Sequence, residues 1–116
     1  MNKSLKSHAG SLGSLRRATA REAWLNLRGW QVTGAEQTEI TLPQSWQTAG
    51  GQSWLRLQSA QGLHPEAHAG EQALCVRYAV PDDTRSHLYA ELLLCDGILV
   101  GAQIFDAESG LMQAVL

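Results

Sequence analysis

The chain has 116 residues, of which 44% are hydrophobic and 17% are charged, and its formal net charge is −2 at pH 7. This composition is typical of a folded globular domain rather than a disordered or fibrous chain, and the length suits one domain. No apolar run approaches the roughly 18 residues of a membrane span, so we expect no contact with a membrane. Two cysteines, Cys75 and Cys95, are too few for a disulfide scaffold.

Charge is distributed unevenly along the chain. Residues 1–30 contain six basic residues and one acidic residue, a net charge of +5, whereas residues 31–116 contain three basic and ten acidic residues, a net charge of −7. Such a division is typical of a basic interaction segment, or of a basic helix that lies on its own acidic sheet. No apolar stretch typical of a secretory signal is present near residue 1, so the expected location is cytoplasmic.

The N-terminal part of the sequence predicts a flexible segment, residues 1–13, followed by a single domain over 14–116. A helix is predicted from Ser14, whose hydroxyl can cap it, to Gly29, which accepts the left-handed conformation that ends helices. The predicted apolar face of this helix consists of Ala20, Ala23, Trp24 and Leu27. The predicted exposed face carries Arg17, Arg21 and Arg28.

After Gly29 the hydrophobic pattern changes to the alternation that is typical of antiparallel strands. The predicted elements are a hairpin of Trp30–Val32 and Thr38–Leu42 with a turn at Gly34–Gln37, a loop at Gln44–Gln52, a strand at Ser53–Ser59, a loop at Ala60–Glu71, a strand at Ala73–Val80 and a last strand at Leu111–Leu116. The predicted fold class is α+β, with the N-terminal helix packed on an antiparallel sheet of about six or seven strands, mostly a meander.

The clearest element is a hairpin from Leu88 to Phe105 with Asp96-Gly97 as its two-residue turn. Asp-Gly favours a type I′ turn because both turn positions need positive φ. This turn predicts a register in which Cys95 faces Ile98 and Glu91 faces Ala102. Both faces of the hairpin are largely apolar, and each large aliphatic side chain gains roughly 1.5–3 kcal/mol from burial. Both faces therefore require cover.

One predicted helix covers part of one face, so the remaining cover has to come from curling of the sheet or from a second molecule. We favour a protein partner or a second copy in a homodimer. The predicted function is a non-catalytic protein-interaction module, a small chaperone, adaptor or regulator of the kind used in bacterial secretion or transcription, and not an enzyme. The predicted partner-binding residues are Arg17, Arg21, Tyr89, Glu91, Leu93, Ile98, Val100 and Ile104.

Two alternative functions stay open at the level of sequence. The first is a small-molecule-binding protein or enzyme, in which a curled sheet encloses a pocket with convergent polar groups around Glu91. The second is nucleic-acid binding through the basic helix, which the acidic body and the absence of a recognised motif do not favour. Trp46 and Trp54, on either side of Gly50-Gly51, are possible contact aromatics in any of these functions.

The segment from His64 to His68 is the one concentrated cluster of ionisable residues in the sequence. Two histidines and Glu66 are metal-ligand types, but Pro65 indicates a loop, and the helical spacing of a zinc protease is absent. Neither cysteine lies near this cluster in sequence, so a complete metal site would require the fold to bring one there. We predict no metal, no cofactor and no catalytic residue, since no Gly-x-Ser-x-Gly nucleophile motif is present either.

Overall fold

The computed structural model describes residues 14–82, 84 and 87–115. These residues form two helices, one 3₁₀ turn and five strands. In chain order the elements are α1 (Ala18–Asn26), β1 (Thr33–Thr41), α2 (Ala49–Ala60), the 3₁₀ turn Pro65–His68, β2 (Gln72–Ala79), β3 (Leu88–Cys95), β4 (Ile98–Asp106) and β5 (Met112–Gln113).

The five strands form one antiparallel sheet in sequence order, β1-β2-β3-β4-β5. The α+β class and the meander are thus confirmed, although the described part of the chain contains fewer strands than the six or seven expected. β3 lies in the centre of the sheet, and seven of its eight residues are buried. The last predicted strand is shorter than expected, because only Met112–Gln113 pairs with β4.

The predicted hairpin between Trp30 and Leu42 is wrong. Thr33–Thr41 is one continuous strand that pairs along its length with β2, and the predicted turn at Gly34–Gln37 lies inside it. Gly34 does adopt a positive φ of 65°. The strand uses this freedom for an irregularity in the register between Thr33 and Glu36 rather than for a reversal of direction.

The predicted strand at Ser53–Ser59 is also wrong, because these residues belong to α2. The alternation of Leu55 and Leu57 with polar residues resembles a strand pattern. The helix is instead begun by Thr48, whose side chain accepts a hydrogen bond from Gly51 N at 3.0 Å. A Cβ on Gly51 would lie 3.1 Å from Thr48 Oγ1, so glycine suits the first turn of this helix.

α1 is rotated relative to the prediction. It begins after Arg17 instead of Ser14, and it contacts the sheet through the buried residues Arg21 and Leu25. Leu27, placed on the predicted apolar face, is 83% exposed. Arg21 is buried because its guanidinium donates hydrogen bonds to Tyr78 Oη at 3.1 Å and to backbone carbonyls of the preceding loop. The predicted exposed position of Arg21 is therefore wrong, whereas Gly29 has the expected positive φ of 93°.

Both faces of the sheet are covered by helices of the same chain. On the face that we call the α1 face, α1 packs on side chains that include Val76, Leu92 and Ile104. On the opposite face, the α2 face, a smaller cluster around Leu93 and Val100 packs against α2 and the loop before it. α2 thus supplies cover that the sequence analysis expected from a second molecule.

The predicted flexible segment 1–13 lies outside the described residues. Neither of the described helices is long and apolar enough to cross a membrane.

Candidate functional site

The β3–β4 hairpin has the predicted turn, in which Asp96 and Gly97 have φ values of 52° and 80°. The register agrees with the prediction at Cys95, which pairs with Ile98, and then shifts between Leu93 and Leu94. An extra residue on β4 at this point forms a β-bulge. Beyond the bulge the predicted register is wrong by one residue.

The bulge brings together two polar side chains that the predicted register separated. Glu91 faces Gln103 rather than Ala102. The shift also moves Ile104 to the α1 face, away from Glu91 and Leu93. A shift of one residue exchanges the faces of a strand, so the bulge decides which side chains of β4 contact α2.

A closed polar network lies on the α2 face. The carboxylate of Glu91, which is 6% exposed, accepts hydrogen bonds from Arg77 Nε at 2.8 Å and from Gln103 Nε2 at 2.9 Å. Gln103 Oε1 in turn accepts from Trp54 Nε1 at 3.0 Å and from Gln58 Nε2 at 3.1 Å. The network therefore joins three strands to α2.

Arg77 is fixed on its other side by aromatic rings. Its guanidinium carbon lies 4.7 Å from the ring centre of Tyr89 and 5.8 Å from that of Phe105. Burial lowers the pKa of Arg77, but the hydrogen bond that Arg77 donates to Glu91 and the negative charge of Glu91 raise that pKa overall. With both carboxylate oxygens of Glu91 bonded to side chains, the arrangement has the form of a structural salt link.

Two glutamine side chains close the outer edge of β4. Gln58 Oε1 accepts from Ala102 N at 2.7 Å, and Gln61 Nε2 donates to Ala102 O at 2.8 Å. Gln61 Oε1 also accepts from Val115 N at 2.8 Å. Since β5 pairs with β4 only at Ile104 and Phe105, these side chains take the place of a neighbouring strand at Ala102.

An open groove of about 510 Å³ lies between α2 and the segment that leads into β5. α2 contributes Trp54 and Leu57, and the other wall is formed by Leu111 and Met112, which are 71% and 45% exposed. Arg56 is the one charged side chain that the described part of the chain contributes to the lining. The groove can therefore offer apolar contact area together with a single positive charge.

The two possible contact aromatics lie together at this end of the molecule. The rings of Trp46 and Trp54 are stacked, with their centres 6.1 Å apart and their planes at 19°. Trp54 lines the groove and donates to Gln103, whereas Trp46 packs against the cluster of the α2 face. The Gly-rich sequence between the tryptophans forms the start of α2 rather than a loop.

The structure distributes the predicted partner-binding residues of the hairpin between core and surface. Leu93, Val100 and Ile104 are buried within the chain, as is Glu91. Tyr89 is half-buried beside the Arg77 guanidinium. These residues form no common exposed surface in the described part of the chain, and their role in binding stays a prediction.

Of the other predicted binding residues, Ile98 is exposed at the hairpin turn and Arg17 is exposed before α1. The remaining arginines of this region have partners within the chain. Arg16 forms an ion pair with Asp96 at 2.6 Å, and Arg28 lies 3.8 Å above the ring centre of Trp24. These contacts engage charges that a nucleic-acid interface through α1 would use.

The ionisable cluster of the sequence analysis divides into two pairs. His64 faces Glu66, with its Nδ1 at 3.3 Å from the carboxylate, while His68 faces Glu71 at 2.9 Å. The fold adds Cys95 to the second pair, so that one ligand atom of each of the three residues lies within 4.8 Å of the others.

Sequence reasoning missed the proximity of Cys95 to His68 and Glu71, although one signal could have revealed it. Glu71 directly precedes β2 and Cys95 ends β3, and neighbouring antiparallel strands bring such positions to the same end of a sheet. The groove at α2 had no comparable signal, because α2 itself was predicted as a strand. Comparison of the chain with protein-family models, with curated proteins and with solved structures finds no match.

Proposed function

We propose that the chain is a non-catalytic protein-interaction module that binds an extended segment of a partner protein in the groove between α2 and β5. The observation that carries this proposal is the pair Leu111 and Met112, which are largely exposed and form one wall of a groove whose other wall contains Trp54. Clustered exposed apolar side chains mark binding surfaces, and tryptophan is enriched among the residues that dominate binding energy.

The sheet edge beside the groove supports an extended conformation of the bound segment. β5 is the last strand in the order of the described sheet, so its outer edge carries no neighbouring strand there. An extended peptide can add to such an edge through main-chain hydrogen bonds, with alternate side chains entering pockets. The groove would receive those side chains.

Charge indicates the composition of the segment. Among the described residues, the lining contains Arg56 and no carboxylate, in contrast to the acidic character of residues 31–116 as a whole. A segment with a large apolar side chain next to aspartate or glutamate complements this surface, whereas a basic segment would meet Arg56. Charge complementarity of this kind acts mainly on specificity and association rate.

The area available indicates modest affinity. Burial of one large apolar side chain contributes roughly 1.5–3 kcal/mol, and association and side-chain ordering offset part of this gain. A short peptide should therefore bind with a Kd of about 1–100 µM. Transient binding at this level suits an adaptor or a chaperone.

The state of Glu91 also favours binding over catalysis. The alternative function required a pocket with free polar groups around this carboxylate, and its oxygens are instead bonded to Arg77 and Gln103. A general acid or base needs access to its substrate, whereas Glu91 is buried.

Selection from a library of displayed random peptides tests the proposal. We expect enrichment of peptides with an aromatic or large aliphatic residue beside an acidic one. Binding of the selected peptides, measured by fluorescence anisotropy, should weaken at least about tenfold in Leu111→Asp and several-fold in Arg56→Glu.

The matched control is Leu27→Asp, which alters the most exposed leucine of the described residues, at the C-cap of α1 and outside the lining of the groove. This variant should bind the peptides as the original chain does. Equal binding by Leu111→Asp and the original chain would contradict the proposal, as would a library without enriched peptides. A dimer in light scattering that Leu111→Asp dissociates would instead identify a second copy as the occupant.

A further inference from the structure

Three side chains with different ligand atoms converge at one end of the sheet. His68, Glu71 and Cys95 offer a nitrogen, an oxygen and a sulfur atom that all lie within 4.8 Å of one another. The Nδ1 of His68 is already 2.9 Å from the Glu71 carboxylate. A surface pair of histidine and glutamate is ordinary on its own, and so is a buried thiol. The feature that distinguishes this end of the sheet is that such a pair and a buried thiol lie next to each other.

The backbone holds the cluster firmly. The segment after the 3₁₀ turn is joined to the chain just beyond β1 by hydrogen bonds between Gly70 N and Leu42 O at 3.1 Å and between Leu42 N and Glu71 O at 2.9 Å. Gly70 has a φ of 78°, a conformation that glycine adopts without strain and that turns the chain between the two ligands. Cys95 is fixed by its place at the end of the central strand.

We propose that His68, Glu71 and Cys95 form a binding site for a divalent transition-metal ion, with Zn²⁺ as the favoured ion. A thiolate, an imidazole and a carboxylate are the three ligand types of zinc sites in proteins. Magnesium and calcium require sets of oxygen ligands, and copper(I) favours sites rich in sulfur. The mixed set therefore fits zinc better than these other ions.

The distances allow ligation with small movements. In a tetrahedral site with metal–ligand bonds of about 2.0–2.3 Å, the ligand atoms lie about 3.3–3.6 Å apart. Atoms already within 4.8 Å of one another can reach this spacing through side-chain rotation. Cys95 would bind as the thiolate, so its thiol proton is released to solvent when the metal–sulfur bond forms.

The site would be open on one side. Cys95 is buried, whereas the side chains of His68 and Glu71 are 31% and 53% exposed. The ion can enter from the side of these two residues. Three protein ligands leave a fourth position for water or for a ligand atom from a partner.

Titration of the full chain with Co²⁺, a spectroscopic substitute for Zn²⁺, tests the site. The protein is first treated with a chelator and kept reduced with a reagent that contains no thiol. We expect one equivalent of Co²⁺ to produce the near-ultraviolet band of a cobalt–thiolate bond together with the visible bands of tetrahedral cobalt. One equivalent of Zn²⁺ should abolish both.

Variants identify the ligands. Cys95→Ser should lose the cobalt–thiolate band, and His68→Ala and Glu71→Gln should each weaken Zn²⁺ binding more than about tenfold. The matched controls are Cys75→Ser, the other cysteine, and His64→Ala, in the neighbouring histidine–glutamate pair. Both controls should bind as the original chain does.

Three results would overturn the proposal. The first is the absence of a cobalt–thiolate band in the original chain. The second is retention of this band in Cys95→Ser while circular dichroism shows a native fold. The third is equal weakening of Zn²⁺ binding in His68→Ala and His64→Ala, which indicates adventitious surface binding. Binding of Zn²⁺ here is independent of the groove, so peptide binding should persist in His68→Ala.

Discussion

The two faces of the sheet are covered by the same chain in different ways. Among the described residues, the α1 face has a cluster of twelve buried hydrophobic residues, and its helix contributes Leu25 and the buried guanidinium of Arg21. The α2 face has five such residues and a polar network centred on Glu91 and Gln103. Apolar burial thus dominates on one face, while directional hydrogen bonds fix the helix on the other. The groove and the cluster around Cys95 both adjoin the face with the smaller apolar core.

The largest expected effect is a difference in stability between alanine substitutions at two adjacent leucines of β3. Leu92 belongs to the cluster of the α1 face and Leu93 to that of the α2 face. We expect Leu92→Ala to lower the free energy of unfolding by about 3–4 kcal/mol and Leu93→Ala by about 2 kcal/mol, because the smaller cluster can relax more around a cavity. Urea denaturation measures both. An equal or larger loss of stability in Leu93→Ala would contradict the expectation that the α1 face contributes more apolar stabilisation than the α2 face.

The next effect concerns the polar network. Arg77→Ala removes the charged partner of Glu91 and leaves a buried carboxylate with only Gln103, so we expect a loss of about 2 kcal/mol. This value is below the range for fully buried pairs, because the side chain of Arg77 is 37% exposed. Arg56→Ala, an exposed arginine of α2, is the control and should change stability little. A similar small change in both variants would show that the network contributes no stability.

Substitutions at the two helix caps should have smaller effects on stability, and the two effects should have opposite signs. Thr48 caps α2, whereas Arg17 occupies the N-cap of α1 without a side-chain hydrogen bond. Thr48→Ala should lower the free energy of unfolding by about 1 kcal/mol, and Arg17→Ser should raise it by about 0.5–1 kcal/mol. Arg17 already has extended φ and ψ angles that suit a cap. Thermal unfolding of the two variants against the original chain measures the changes, and destabilisation by Arg17→Ser would contradict the expectation.

The smallest effect concerns thiol chemistry on the α2 face. Burial raises the pKa of Cys75, the charge of Glu91 raises it further, and Arg77 lowers it. A raised pKa means less thiolate near neutral pH, so alkylation of Cys75 by iodoacetamide should be slow and should accelerate only above the pH range of a free cysteine. Glu91→Gln should shift this acceleration to lower pH. Peptide mass spectrometry distinguishes Cys75 from Cys95, and an unshifted profile in Glu91→Gln would be evidence against the coupling.

The parts of the fold that sequence predicts are those governed by local rules. The strand at β2, the hairpin turn at Asp96-Gly97 and the end of the first helix at Gly29 all follow from alternation or from glycine conformation. The helix α2 was not predicted, because its leucines alternate with polar residues as in a strand and because two glycines lie in its first turn. Its clearest local signal is the capping residue Thr48.

The bulge in β4 depends on tertiary contacts that no local pattern contains. Gly101 lies so close to α2 that an added Cβ would be 3.3 Å from Trp54 Cζ2 and 3.0 Å from Leu93 Cδ1. Glycine at this position therefore leaves room for the side chains of Trp54 and Leu93 beside the bulge. The contact between Glu91 and Gln103 depends on this bulge, so the register predicted from the turn alone could not reveal it.

The two glutamines at Ala102 protect an edge of the sheet that would otherwise be open to other chains. Before α2 docks, the backbone of β4 near Ala102 is an open strand edge next to an apolar hairpin, and such an edge can pair with another chain and aggregate. Gln58 and Gln61 close it only once α2 is helical and in place. Any state in which the hairpin has formed and α2 has not docked is open to such pairing, so we expect a weakened cap at Thr48 to increase losses during expression more than its effect on equilibrium stability suggests.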